Sequence, residues 1–199
     1  MRRFRRPFGL FEAALLLVLA GGGLWILRPI PGARRSAASE KEILALLGAL
    51  ADAEDARAAG RRGGYLPLDP LAASDPALRR ALAGFRPSGA AGVLGNTSYW
   101  VTVLLPGAEG ALDTRMAPDP AAADRGFVAV AWPRSAAAPV LRALAALPGG
   151  ILWQRADGEA ESGEPSRPPV PRVAFPLPGK DGPVVPDPPP DWVVARKRR

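Results

Sequence analysis

Three aspartates in one polar stretch, Asp113, Asp119 and Asp124, are the nearest this chain comes to a hard-cation site. Calcium takes about six to eight oxygen ligands, and the spacing of these three follows no loop template, so solvated acidic residues account for them better. Asp157-Gly158-Glu159 is a turn before it is a ligand, because Asp-Gly suits the dihedral angles of a tight turn. Gly60, Gly63 and Gly64 beside Arg61 and Arg62 suggest phosphate binding, but no Lys-Ser or Lys-Thr follows them and no strand precedes them. A Walker-type loop is thereby excluded. Ser88, Ser98, Ser135 and Thr102 offer hydroxyl nucleophiles, and no spacing pairs one of them with a base. The 199 residues contain no His and no Cys. Ser-His-Asp catalysis, thiolate chemistry, disulfides and the commonest metal ligand are therefore ruled out. No catalytic residue, metal site, cofactor or small-molecule substrate is assigned, and the chain is read as not an enzyme. Tyr65, Tyr99, Trp132 and Trp153, at turns and strand ends, are better candidates for binding through exposed aromatics, although core packing is the commoner use of such rings.

The elements that would position these residues follow from periodicity. Ser39-Glu40-Lys41-Glu42 reads as a capping box, and Ile43, Leu44, Leu46, Leu47 and Leu50 trace an amphipathic helix over about 40–58, ending at Gly60. The prolines of Tyr65–Leu71 argue against regular structure there. Asp75 and Pro76 suit the cap and first turn of a short helix through Leu78, Ala81 and Leu82, stopped by Gly84. Strands are expected at Tyr99–Leu105, Gly126–Trp132 and Ile151–Gln154, with residues 140–147 open between helix and strand. The simplest assembly is a small antiparallel sheet with the 40–58 helix on one face. Residues 161–199 differ in kind. Their prolines favour extended backbone and a disordered tail, although Val173-Ala-Phe175 and Trp192-Val-Val194 could dock on the body.

Charge and hydropathy describe the N-terminus. The net charge is +7, but residues 36–160 carry 12 basic and 13 acidic side chains, so the excess lies at the two ends. A nucleic-acid-binding domain would be expected to carry a basic face, and none is found, so no nucleic-acid partner is assigned. Leu10–Leu27 is an apolar run containing one acid, Glu12. As a helix it would be roughly 27 Å long, enough to cross a bilayer. Arg2, Arg3, Arg5 and Arg6 before it, against Arg28 after it, orient the N-terminus to the cytoplasm. An uncleaved anchor, a secretory signal peptide and a segment trimmed by a specialised peptidase all fit. Gly21, Gly22 and Gly23 are either tolerated in lipid or points of close approach to a partner helix. Glu12 either reaches the headgroups or pairs with a neighbouring subunit.

The opening Met1-Arg-Arg-Phe-Arg-Arg-Pro-Phe-Gly9, then Leu10-Phe-Glu12-Ala-Ala-Leu-Leu-Leu-Val-Leu19, resembles type IV pilins and type II secretion pseudopilins, which begin with a basic leader ending in Gly and a hydrophobic helix bearing an early Glu. Ala51–Arg57, Gly64–Leu68, Tyr99–Val103, Gly126–Pro133 and Ala156–Gly158 are similar to recurring blocks of a divergent bacterial group of that kind. In the family the acid is the fifth residue after the leader glycine; here it is the third. The resemblance implies cleavage between Gly9 and Leu10, and contacts to similar subunits through Glu12 and the helix. Together with the proline content of 29–38 and 161–199 it gives a five-part chain: a leader at 1–9, a transmembrane helix at 10–28, a linker at 29–38, a pilin-like α+β domain at 39–160 and a Pro-rich tail at 161–199. The expected function is a pseudopilin-like assembly subunit of the inner membrane with its C-terminal domain periplasmic. Its expected partners are pilin-like subunits or secretion-platform proteins and the lipid bilayer. The alternative is a monomeric anchored binding or scaffold module of the cell envelope.

Overall fold

Pro31 is the first residue of a long helix. The computed structural model describes residues 31–60, 64–107, 110–112, 124–135, 141–156, 163–176 and 184–196, and side chains among them from 38 to 195. The chain divides into two units, Met1–Ala37 and Ala38–Arg199; apart from the helical residues 31–37, everything described belongs to the second. Helix α1 spans Pro31–Ala59. Proline is tolerated there because first-turn amides have no acceptor within the helix, and the alanines and arginines that follow are strong helix formers. The expected linker at 29–38 is thus corrected: from Pro31 on it is helix. The capping box is corrected with it, because Ser39 lies well inside α1. Its hydroxyl instead meets that of Ser98 at 3.2 Å.

The amphipathic pattern is realised on one side of α1, where Ile43, Leu46, Leu47, Leu50 and Ala51 are buried. Helix α2, Leu68–Ser74, occupies part of the stretch expected to be irregular. Pro70 is its third residue, still within the turn that needs no amide donors, so the proline does not break it. Helix α3, Pro76–Ala81, begins as its sequence indicates. The Asp75 carboxylate accepts from the Ala77 and Leu78 amides at 2.7 and 3.2 Å. Replacing Asp75 by alanine is expected to lower stability by about 1 kcal/mol, read as a shift in urea midpoint, whereas Asp75→Asn should retain most of the cap.

Among the described residues, seven strands form one antiparallel meander in chain order. They are β1 Arg86–Pro87, β2 Val93–Gly95, β3 Tyr99–Leu104, β4 Val128–Pro133, β5 Leu144–Leu147, β6 Ile151–Arg155 and β7 Trp192–Arg196. The ambiguous stretch before Leu147 is strand. Every residue of β3, β4 and β5 is buried, because both faces of the sheet are covered. Alternate residues serve alternate cores. Tyr99, Val101, Val103, Ala129, Ala131, Leu144 and Ala146 join the α1 stripe and Leu68, Leu71 and Leu78. Trp100, Leu104, Val128, Val130, Trp132, Ala145, Leu147 and Trp153 face the other way and meet Phe175 and Trp192.

Several expectations are corrected here. The tail is part of the fold: β7 pairs with β6, and residues 163–176 help close the second core. No helix among the described residues is long and apolar enough to cross a membrane. The longest, α1, carries nine charged residues in 29. The expected transmembrane helix at 10–28, with Gly9, Leu10, Glu12, Gly21, Gly22 and Gly23, lies outside the described residues. The fold class, a transmembrane helix with a small pilin-like domain and a loose tail, gives way, among the described residues, to three helices and a seven-stranded open antiparallel sheet. The membrane-anchored assembly subunit, its anchored scaffold alternative and the inner-membrane location all depended on that anchor. They lose their support with it.

Candidate functional site

Four of the five tryptophans, Trp100, Trp132, Trp153 and Trp192, lie on the sheet face turned away from α1. Strand pleating explains the clustering. Trp100 and Trp132 are direct cross-strand partners, and Trp153 and Trp192 come from β6 and β7, whose register pairs Arg155 with Trp192. Residues two apart on a strand share a face, so Trp192 joins Trp153. None of these rings is free at the surface: Trp132 is fully buried and Trp100 is 9 % exposed. The expectation of exposed aromatics is corrected, because Tyr65 and Tyr99 are buried too, in the core under α1. Tyr65 packs its ring 5.0 Å from that of Phe127, and burial pushes the phenols of Tyr65 and Tyr99 above their ordinary pKa.

The proline-rich segment 163–176 covers the tryptophan face. The Trp100 indole N–H donates to the Gly163 carbonyl at 2.8 Å, and the Trp132 indole N–H donates to the Glu164 carbonyl at 3.1 Å. Two neighbouring donors on the sheet thus hold two consecutive carbonyls of the segment. Indole N–H groups have a polar role only as donors, and a proline-rich chain is short of amides but keeps every carbonyl. The two chemistries are complementary. Gly163 has φ 69°, a left-handed conformation that glycine adopts without steric cost.

The far end of the segment is held by a different device. The Phe175 ring is buried, its amide donates to the Gly110 carbonyl at 2.8 Å, and Ala174 bridges to Ala111. Gly126, with φ 154°, leaves the room the Phe175 ring fills, and a Cβ there would collide with it. Between the two ends, Val170 and Val173 pack half-buried against the second core. Near β7 a cavity of about 460 Å³ opens beside the segment, lined by Pro169, Val170, Arg172, Pro189, Trp192 and Arg155. Arg155 reaches Asp191 at 3.8 Å.

Trp100 receives support on its own strand pair. Gly95 stands opposite it in the β2–β3 register, and any side chain at Gly95 would collide with the indole. The Arg134 guanidinium lies 4.1 Å from the ring centroid and donates to the Asn96 carbonyl at 2.6 Å. A cation against an indole face is attracted by the ring quadrupole and also holds the ring in place.

The residues singled out for chemistry are not brought together. The Ser88 hydroxyl accepts from the Ala90 amide, the Thr102 hydroxyl donates to the Gly92 carbonyl, and Ser98 meets Ser39. Ser135 follows β4. Asp124 is described, while Asp113, Asp119 and Asp157-Gly158-Glu159 lie outside the described residues, as do Arg61, Arg62 and Gly63. Among the described residues no three acidic side chains gather closely enough to hold a metal ion.

One buried acid is not among the residues singled out from the sequence. Glu54 is fully buried, and both of its carboxylate oxygens face the Leu66 amide, at 3.1 and 3.2 Å. Burial pushes its pKa up to about 8, against the opposing pull of the Leu66 amide and Arg57. The signal was present: Glu54 stands four residues after Leu50 and seven after Leu47, on the apolar stripe itself. No family model matches the chain, and no curated protein or solved structure is significantly similar to it, the type IV pilins and pseudopilins included.

Proposed function

We propose that this chain is a non-catalytic protein-interaction module whose working surface is the tryptophan face of the sheet. It takes a proline-rich segment of another protein in the place where its own residues 163–176 lie. The observation that carries this reading is the pair of neighbouring indole donors, Trp100 and Trp132, aimed at consecutive carbonyls of a segment rich in proline. Aromatic-lined surfaces recognise proline-rich chains because the ligand is stiff before it binds and loses little entropy. In this arrangement the chain's own segment is the resident ligand, and a partner competes with it.

The competition sets the size of the effect. A ligand that needs the face uncovered binds with an affinity reduced by the fraction of molecules in which it is uncovered. Loosening the segment by about 2 kcal/mol raises a small open fraction roughly 30-fold. A labelled peptide with the sequence of residues 163–176, titrated into the full chain, should bind weakly. It should bind at least tenfold more tightly to Val173→Ser, a half-buried position whose change loosens the segment without opening the main core. Tryptophan fluorescence should shift on binding. Absence of binding to both proteins, with the circular dichroism of Val173→Ser unchanged, would reduce the segment to a fixed part of the second core and overturn the reading.

A further inference from the structure

Phe175 enters the second core more deeply than Val170 or Val173: it is 1 % exposed where they are half-buried. Two glycines make the space for it. Gly126, two residues before β4, and Gly110, in the turn after β3, have φ of 154° and 81°, conformations that other residues rarely adopt. A Cβ at Gly126 would collide with the Phe175 ring, and one at Gly110 would collide with the Phe175 carbonyl. One glycine therefore fits the ring and the other fits the backbone of the same residue. The backbone is also paired. The Phe175 amide donates to the Gly110 carbonyl at 2.8 Å, Ala174 bridges to Ala111, and Leu112 bridges back to Pro106. Main-chain pairing of this kind holds a segment whatever its sequence, whereas a pocket for one side chain selects among sequences.

The two holding points also fix a direction. Trp132 lies toward the end of β4 and Gly126 lies before its start, so the segment runs antiparallel to that strand. Six residues of strand separate them by about 20 Å. Eleven residues lead from Glu164 to Phe175, and as straight polyproline they would reach about 34 Å. A turn takes up the excess: the Arg167 amide donates to the Glu164 carbonyl at 3.3 Å. On the reading that the tryptophan face takes a partner's proline-rich segment, we infer that the Gly110–Gly126 socket is its specificity pocket. The partner is then a proline-rich segment with a phenylalanine eleven residues after the carbonyl that Trp132 holds. The tryptophans read backbone and leave the sequence open. The socket reads one aromatic ring, because a shorter aliphatic side chain would leave part of it empty.

The test varies the peptide, so the folding of the protein is not at stake. Labelled 163–176 peptide is titrated into full-length Val173→Ser, beside the same peptide carrying Phe175→Ala or Phe175→Leu. The alanine peptide should bind at least about 30-fold more weakly than the parent, and the leucine peptide at least about fivefold. Adding Gly126→Ala to the protein places the test on the socket itself. It should weaken the parent peptide and leave the alanine peptide unchanged, a coupling that only a direct contact produces. If that protein does not fold by circular dichroism, the three peptides decide. Equal binding of parent and alanine peptides would overturn the socket and leave the tryptophan face standing. A leucine peptide as tight as the parent would overturn the requirement for an aromatic ring. A parent peptide that binds neither the wild type nor Val173→Ser would overturn the socket together with the face.

Discussion

Replacing Trp132 by alanine is expected to lower the unfolding free energy by about 3–5 kcal/mol, the range for deleting a large aromatic from a packed core. The ring is fully buried at the centre of the second core, flanked across the strand by Trp100 and covered by the 163–176 segment. Nothing nearby is long and flexible enough to fill the space. Trp132→Phe separates the two roles of the side chain. It keeps most of the apolar area and removes the N–H that holds the Glu164 carbonyl, for a loss of about 1 kcal/mol, because Glu164 is exposed and water can replace the donor. Urea unfolding at a single pH gives both numbers. The segment supplies a second readout. Tryptic cleavage after Arg172, an exposed residue between half-buried Val170 and Val173, should accelerate in Trp132→Ala before the rest of the chain opens. If Trp132→Phe were as damaging as Trp132→Ala, the indole donor would outweigh the packing. If cleavage stayed unchanged, the segment would be held by Phe175 alone.

Much of the main core is legible in the sequence because its signals are local. The α1 stripe, the Asp75 cap and the apolar strands at Tyr99, Val128 and Ile151 follow from spacing; the three strands lie within two residues of their expected bounds, whereas α1 begins nine residues before its expected start at about residue 40. The second core is not legible in the same way. Its cover is a segment with no periodicity, and its edge strand follows a run of prolines that argues for disorder by composition. The tryptophans hinted at it, and so did Val173-Ala-Phe175 and Trp192-Val-Val194, the two apolar stretches of the tail able to dock on the body. Trp100, Trp132 and Trp153 alternate with residues that serve the other face, so a strand buried on both sides looks the same as one buried on either. The prolines misled because a proline-rich segment can pack as well as a helix when another element supplies its donors, and Trp100 and Trp132 supply them here. The short strands β1 and β2 carry two and three residues, too few for any pattern.

Glu54 should make the protein lose stability as the pH rises from about 5 to 8. In the unfolded chain its carboxyl releases its proton near 4.5; in the folded protein burial holds the proton until about 8. Between those values the folded state binds more protons than the unfolded state, so raising the pH favours unfolding. The stabilisation is complete below about 4.5 and gone above about 8. The whole change is on the order of a few kcal/mol, since one proton carries at most about 1.4 kcal/mol per pH unit. Two features make the effect readable. The chain has no His and no Cys, so no other side chain titrates in this window at its ordinary pKa. The geometry also opposes the burial only in part: the Leu66 amide and Arg57 favour the charged form, while Asp55 disfavours it. Glu54→Gln keeps an oxygen for the Leu66 amide and removes the titration. It should match the wild type near pH 5, exceed it by on the order of 2 kcal/mol at pH 8.5, and show a flat profile between. Urea midpoints at half-unit intervals measure both curves. Parallel slopes, or a wild type that gains stability toward pH 8, would mean that Glu54 is charged in the folded protein, its carboxylate held by the Leu66 amide and Arg57 in spite of its burial.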